Sequence, residues 1–360
     1  MGSDGDHTTA KPKRAARLID VARVAKVSRA TAARALGGYG VVTPDTQQRV
    51  LEAAASLDYR VNDLARSMRS GRTLTIGVVV ADISNSFTLT SIRGIIAAAA
   101  GAGYQSLVLN TDGDVERERE AVRVLREKRV DGLLIVPASR MEVEHLVSTR
   151  RHEAPIVLLD RFIDGFALDS VITDDFGGAH AAVRLLIERG HRQIGLLLGT
   201  AAHHGHQESE PVDTVSTVVE RARGAAAAFA EAGLVLDPGL VRYAGSVAAT
   251  AVAAARHLLA RTPRPTAIFA GNEEMLLGAL AAARELDLSI DRDLSLIGFD
   301  DAPWLAVFQP ALSVVSRPTY ELGQQAVNRL LAHINGESRL RRVELKTTVI
   351  DRGSIADLRS

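Results

Sequence analysis

Residues 18–62 run LIDVARVAKVSRATAARALGGYGVVTPDTQQRVLEAAASLDYRVN, and the spacing predicts three short helices joined by turns. In Leu18 to Lys26, Leu18, Val21, Ala22 and Ala25 fall at i, i+3, i+4 and i+7, which puts them on one helical face. Ser28 is a good N-cap for a second piece that runs to Leu36 and stops at Gly37-Gly38-Tyr39-Gly40. The third is signalled by Thr43 as N-cap, Pro44 at the first helical position and Asp45 at the positive end of the dipole. Three such helices make a small bundle. On the second, Ala32, Ala35 and Leu36 face inward, while Arg29, Ala30, Ala33 and Arg34 share the other side. A helix that enters the major groove needs this division, and Arg suits bidentate contact with guanine. A generic helical hairpin with solvated arginines has the same spacing, so spacing alone leaves both open.

Charge separates this segment from the rest. The chain has 360 residues and no net charge, yet Lys11 to Arg72 holds 13 Lys and Arg against five Asp and Glu, a net +8, and the remainder, 30 against 38, is −8. A basic end is the electrostatic footprint of nucleic-acid binding, because neutralised phosphates release counterions. The length exceeds what one compact core normally fills, so more than one domain is expected. Met1 to residue 16 reads as a disordered leader without the apolar stretch of a signal peptide, and no apolar run approaches the roughly 20 residues of a membrane span. Absence of cysteine excludes disulfides, thiol nucleophiles and Cys-based zinc sites, and agrees with a cytoplasmic location.

Beyond Arg72 apolar strands alternate with amphipathic helices, the pattern of βαβ units and parallel sheets. Strands are expected at Leu74 to Val80, Gln105 to Asn110, Gly132 to Val136 and Ile156 to Asp160. A second series lies at Gln193 to Leu198, Leu240 to Tyr243, Ala267 to Ala270 and Leu294 to Phe299. The fold class is thus a small all-α helix-turn-helix headpiece plus an α/β domain of two Rossmann-like lobes, each an open parallel sheet. Two lobes with strand ends facing each other offer loops from both sides to one small molecule. The expected division is 17–60 for the headpiece, 61–73 for a linker, 74–355 for the two lobes and 356–360 for a tail. The first lobe takes about 74–174 plus 304–334, the second about 175–303 plus 335–355. Gly199 to Thr217 breaks the rhythm as a long polar loop. Its His203, His204 and His206 have no ordered scaffold and are read as surface residues, with no metal or cofactor expected.

The run Ile19-Asp20-Val21-Ala22, Val27-Ser28-Arg29-Ala30-Thr31 and Arg34-Ala35-Leu36, followed by Val42-Thr43-Pro44, Thr46, Tyr59-Arg60-Val61-Asn62 and Leu64-Ala65-Arg66-Ser67-Met68, resembles the lac repressor family of bacterial regulators. The likeness extends in pattern from Leu18 to Gly353. It implies a homodimeric repressor that binds double-stranded, palindromic operator DNA under allosteric control by a small molecule. By that resemblance Arg29, Ala30 and Arg34 stand at base-reading positions, and Ser28, Thr31, Thr46 and Asn62 at backbone-contacting ones. Ala30 and Ala33 depart from the polar residues common there. Leu64, Ala65 and Met68 match a hinge helix that folds on DNA, with Met68 as the apolar wedge in the minor groove.

The later domain resembles the periplasmic-binding-protein fold of the same family, which implies a ligand among Asn85, Phe87, Asp160, Arg161, Arg221, Asn272 and Asp300. Carboxylates, an amide and a guanidinium fork suit hydroxyl-rich or ring-nitrogen ligands, so the effector is read as a sugar or related metabolite, with a polyol or a nucleoside left open. Thr88 and Ser246 stand where aromatic residues are common, and Glu273 stands where an Asp is usual. Trp304, the only Trp, is either a ligand platform or a packing residue at a lobe crossing. The C-terminal end has no leucine heptads, which favours a dimer over a tetramer. No GxGxxG after the first strand, Walker loop, HExxH or GxSxG is present, so nothing argues for an enzyme. A solute-binding protein for import fits less well, since it needs a signal peptide and no basic helical segment.

Overall fold

The computed structural model describes residues 16–37, 40–59, 71–151, 154–166, 168–200, 213–245 and 248–359. Asn62, Leu64, Ala65, Met68, the three loop histidines and Ser246 lie outside that set. The chain divides into two compact units, Met1–Thr73 and Leu74–Ser360.

In the first unit helices α1 (Leu18–Val24), α2 (Arg29–Gly37) and α3 (Pro44–Ser56) pack around Val21, Ala22, Ala25, Ala32, Ala35, Val50, Ala53 and Ala54. Alanine dominates this core, so the helices meet with small side chains between them. Helix α1 stops two residues before the expected Lys26, which takes a left-handed φ of 56°; the chain then turns back with Val27 N–H on the Ala22 carbonyl at 3.0 Å. Ser28 caps α2 through the Thr31 N–H at 3.1 Å. Thr43 holds the cap position of α3 but makes no side-chain cap bond; its hydroxyl donates to Thr46 Oγ1 at 2.9 Å.

The second unit holds two six-stranded sheets. One contains β1 (Thr75–Val80), β2 (Gln105–Asn110), β3 (Gly132–Ile135), β4 (Ile156–Leu159), β5 (Asp169–Thr173) and β11 (Arg342–Leu345) in the order β11-β5-β4-β3-β1-β2, all parallel. The other contains β6 (Ile194–Thr200), β7 (Val241–Gly245), β8 (Ala267–Ala270), β9 (Ser295–Phe299), β10 (Ser313–Ser316) and β12 (Thr348–Ile350) in the order β12-β10-β9-β8-β6-β7. It is parallel except where β12 runs against β10. Helices cover both faces, so central strands such as β3, β4 and β8 are buried throughout, as parallel strands require. They are α4 (Ser86–Gly101), α5 (Val115–Glu127), α6 (Glu144–Arg151) and α12 (Thr319–Ile334) on the first lobe. The second carries α7 (Asp175–Glu188), α8 (Ser216–Glu231), α9 (Ala248–Leu259), α10 (Glu273–Glu285) and α11 (Pro303–Val307).

Strand pairing corrects the expected lobe limits. The chain crosses between lobes after Thr173, after Ser316 and after Leu345, because β10 pairs with β9 while β11 pairs with β5. Residues 304–316 therefore belong to the second lobe and 335–345 to the first. Asp169, fully buried, ties the returning chain down: it accepts from Arg329 Nε, from His333 Nε2 at 2.8 Å and from the Arg341 N–H at 2.8 Å.

Candidate functional site

On α2 the two faces divide as the spacing predicts: Ala32 and Ala35 are buried, while Arg29, Ala30 and Arg34 are exposed. Thr31 and Thr46 are half-buried, and Ser28 is exposed. The Thr31 hydroxyl shares a 2.9 Å bond with Ser28 and lies 3.4 Å from Arg34 Nη2. The arginines thus stand exposed on a capped helix with no carboxylate paired to them among the described residues.

In the second unit the carboxyl ends of the strands converge on a cavity of about 350 Å³ between the lobes. Asn85 and Phe87 follow β1, and Asp160 and Arg161 follow β4. From the other lobe come Arg221 on α8, Asn272 after β8 and Asp300 after β9; all seven line the cavity. The lobes present matched groups. Asn85 caps α4 by accepting from the Phe87 N–H at 2.8 Å, and Asn272 caps α10 by accepting from the Met275 N–H at 2.9 Å. Asp160 and Asp300 each take a left-handed conformation, φ 65° and 78°, and each donates its N–H to the next strand, at Val171 and Val315. Asp tolerates this region better than most residues, and the turn aims both carboxylates into the cleft.

Those carboxylates meet on a residue that the sequence reading missed. Arg317, on the crossing segment after β10, lies 2.7 Å from Asp160 Oδ1 through Nη1 and donates from Nε to Asp300 Oδ1 at 2.6 Å. Its guanidinium carbon sits 3.6 Å from the centroid of the Phe87 ring. The two aspartates hold the guanidinium firmly in its charged form, well above the ordinary arginine range, despite burial. Arg221 pairs with Asp175 at 2.6 Å and lies over Phe299 at 3.9 Å. Burial pushes the Asp175 carboxyl up to about 6, against the pull of Arg221. Asp175 and Arg317 went unread for the same reason. Both sit at lobe crossings, where the pairing of short strands, not periodicity, sets the register.

Hydrogen bonds also close the cleft. Asn85 Nδ2 donates to Glu274 Oε1 at 2.8 Å, Ser86 Oγ to Glu273 Oε1 at 3.2 Å, the Phe162 N–H to Ser216 Oγ at 3.0 Å and the Arg140 N–H to Asp213 Oδ1 at 3.1 Å. Glu274, largely buried here, has its carboxyl pushed up by desolvation. Trp304 is absent from the cavity wall. Its indole N–H donates to Glu273 at 2.9 Å and its ring packs edge-on to Phe308, so of its two readings the geometry selects packing. Among the described residues no cluster suited to a metal ion occurs, and no helix is long and apolar enough to cross a membrane.

Comparison with known proteins agrees with this architecture. Residues 17–62 match the model of bacterial regulatory proteins of the lacI family, and residues 183–355 match a periplasmic binding protein-like domain. The HTH-type transcriptional repressor PurR of Aliivibrio fischeri (strain ATCC 700601 / ES114) is 32% identical over 345 residues, 95% of this chain and 99% of that protein. A crystal structure of the lac repressor dimer bound to operator and the anti-inducer ONPF aligns with a TM-score of 0.82 at 25% identity, covering 95% of this chain and 100% of that one. A LacI family regulator from Enterococcus faecium with bound ribose aligns at 0.66 and 27% identity, over 79% and 99%. With a basic three-helix unit, a two-lobed cavity domain and relatives matched along nearly their whole length, the chain belongs to the lacI family of bacterial regulatory proteins, DNA-binding transcription regulators controlled by small molecules.

Proposed function

We propose that this protein is a cytoplasmic repressor that binds a palindromic operator as a homodimer and changes its grip on DNA when a small polar molecule fills the cavity between the lobes. The observation that carries the reading is the convergence of Asn85, Asp160, Arg161, Arg221, Asn272 and Asp300, from both lobes, on that one cavity. A molecule bound there touches both lobes and so biases their closure, which is what an allosteric effector must do. Arg29 and Arg34 read base edges, Ala30 offers a methyl contact, and Ser28, Thr31, Thr46 and Asn62 hold the phosphate backbone. Leu64, Ala65 and Met68 form the minor-groove hinge. The relatives are regulators, and this protein is read as a regulator without catalytic activity.

Two measurements test the assignment together. Operator sites selected from a random DNA library by the purified protein are expected to be two-fold symmetric. On such a site Arg221→Ala is expected to bind as wild type does in the absence of effector and to lose the effector response. A variant that still responds normally would place the effector elsewhere.

A further inference from the structure

The arginines of the cavity are unequally provided for. Arg221 has Asp175 and the Gly271 carbonyl, and Arg317 has both Asp160 and Asp300. Arg161 donates Nη1 to the Pro137 carbonyl at 2.8 Å, but its buried Nε has no hydrogen-bond partner. Burial accordingly pulls its pKa down from the ordinary arginine value. A buried guanidinium N–H without an acceptor is costly, and Arg161 is one of the residues that line the cavity.

Arg317 changes what the cavity asks of a ligand. Carboxylates at strand ends are strong acceptors for the hydroxyls of a neutral polyol, but here Oδ1 of Asp160 and Oδ1 of Asp300 are both taken by a single guanidinium. The same guanidinium covers Phe87, whose ring otherwise packs against the first lobe's core. No other aromatic residue is among the described residues of the wall, so among these residues a planar base finds no second face to stack on. The volume, about 350 Å³, sits near the lower end of the roughly 300–1,000 Å³ of ligand pockets. A molecule of monosaccharide size fits that scale.

We propose that Arg317 is a specificity-determining residue: by taking one oxygen of each of Asp160 and Asp300 and neutralising their charge it weakens them as acceptors for neutral polyols, and it leaves Arg161 to select a small hydroxylated anion as effector. The carboxylate or phosphate of that anion meets Arg161, and its hydroxyls face Asn272, Thr217 and Glu274. The proposal rests on the reading of this cavity as the effector site.

Matched probes test it on the full-length protein by calorimetric titration: glucose against glucuronate, sorbitol against gluconate, and ribose against ribose 5-phosphate, with sodium sulfate for unspecific anion effects. At least one anion is expected to bind on the order of tenfold or more tighter than its neutral partner, the scale of one charge-assisted hydrogen bond. The carboxylate and phosphate pairs distinguish the two sources of charge. Arg161→Gln should erase the preference, and Arg317→Gln, by releasing Asp160 and Asp300, should raise affinity for the neutral partner by a similar factor. Operator binding reports folding of each variant, with Arg317→Lys as a second substitution expected to keep the anion preference. Neutral partners that bind wild type as tightly as the anions, no anion that binds beyond the sulfate control, or a preference that survives Arg161→Gln would each overturn the proposal. Anions that bind Asn272→Ala unchanged would instead refute the cavity as the effector site.

Discussion

Asp160 and Asp300 hold the left-handed conformation at equivalent strand ends of the two lobes, and one side chain, Arg317, satisfies both. Backbone strain at such residues is of order 1–3 kcal/mol and persists only where the surroundings over-determine it; here the strand bonds to Val171 and Val315 and the shared guanidinium do so. The candidate residues named from sequence came from the family resemblance, whose motifs fall at strand ends, and seven of them line one cavity. Arg317 was not among them, since nothing in Ser316-Arg317-Pro318 marks it until β10 is seen to deliver it between two carboxylates. In the DNA-binding unit, Arg29→Ala or Arg34→Ala is expected to cost about 1 to 3 kcal/mol on the specific site and to relax base preference there. Competition binding across single-base operator variants measures both effects, and unchanged selectivity would remove these residues from base readout.

At the scale of elements, strand–helix alternation located β1 to β4 of the first lobe and β6 to β9 of the second, the edge strands β2 and β7 included. The strands around the lobe crossings escaped. β5, β10, β11 and β12 have three to five residues each, as several located strands do, but they lie where the chain passes between lobes, outside the regular strand–helix alternation. Helix packing also depends on tertiary contact. A Cβ on Gly94 of α4 would stand 2.1 Å from the Tyr320 carbonyl oxygen, and one on Gly323 of α12 would stand 2.2 Å from that of Ser91. The two helices touch backbone to backbone at these points. Gly94→Ala or Gly323→Ala is therefore expected to push them apart and to destabilise the domain by about 1–3 kcal/mol, the usual scale of overpacking. A urea midpoint unchanged from wild type in both variants would contradict that contact.

The whole molecule adds linkage between cavity, charge and stability. Asp175 has an ordinary value of 3.8 and is raised to about 6 by burial, among Arg221, Arg317 and Asp160. Since the folded pKa is the higher one, the folded protein holds a proton that the unfolded chain releases between about pH 4 and 6. Ionised Asp175 therefore weighs against folding at neutral pH, and this is relieved as pH falls through 6. Asp175→Asn lacks that relief, so wild type is expected to gain stability relative to the variant as pH drops from 7 to 5; denaturant midpoints at the two values decide it. An effector at 100 times its Kd is expected to stabilise the protein by about 2.7 kcal/mol, read as a rise in unfolding midpoint that Arg221→Ala abolishes.

What the sequence by itself determined is the class of each part: helical spacing with caps and a basic surplus at one end, and strand–helix alternation beyond it. These are local properties, set by side chains within a few turns or strand lengths of one another. Only the tertiary structure decided where the chain crosses between lobes, and with it the placing of Arg317 between Asp160 and Asp300 and of Asp175 beneath Arg221. The reason is physical. A crossing is fixed by which sheet edge accepts a short strand, and an ion pair between residues 157 positions apart has no trace in the spacing of either.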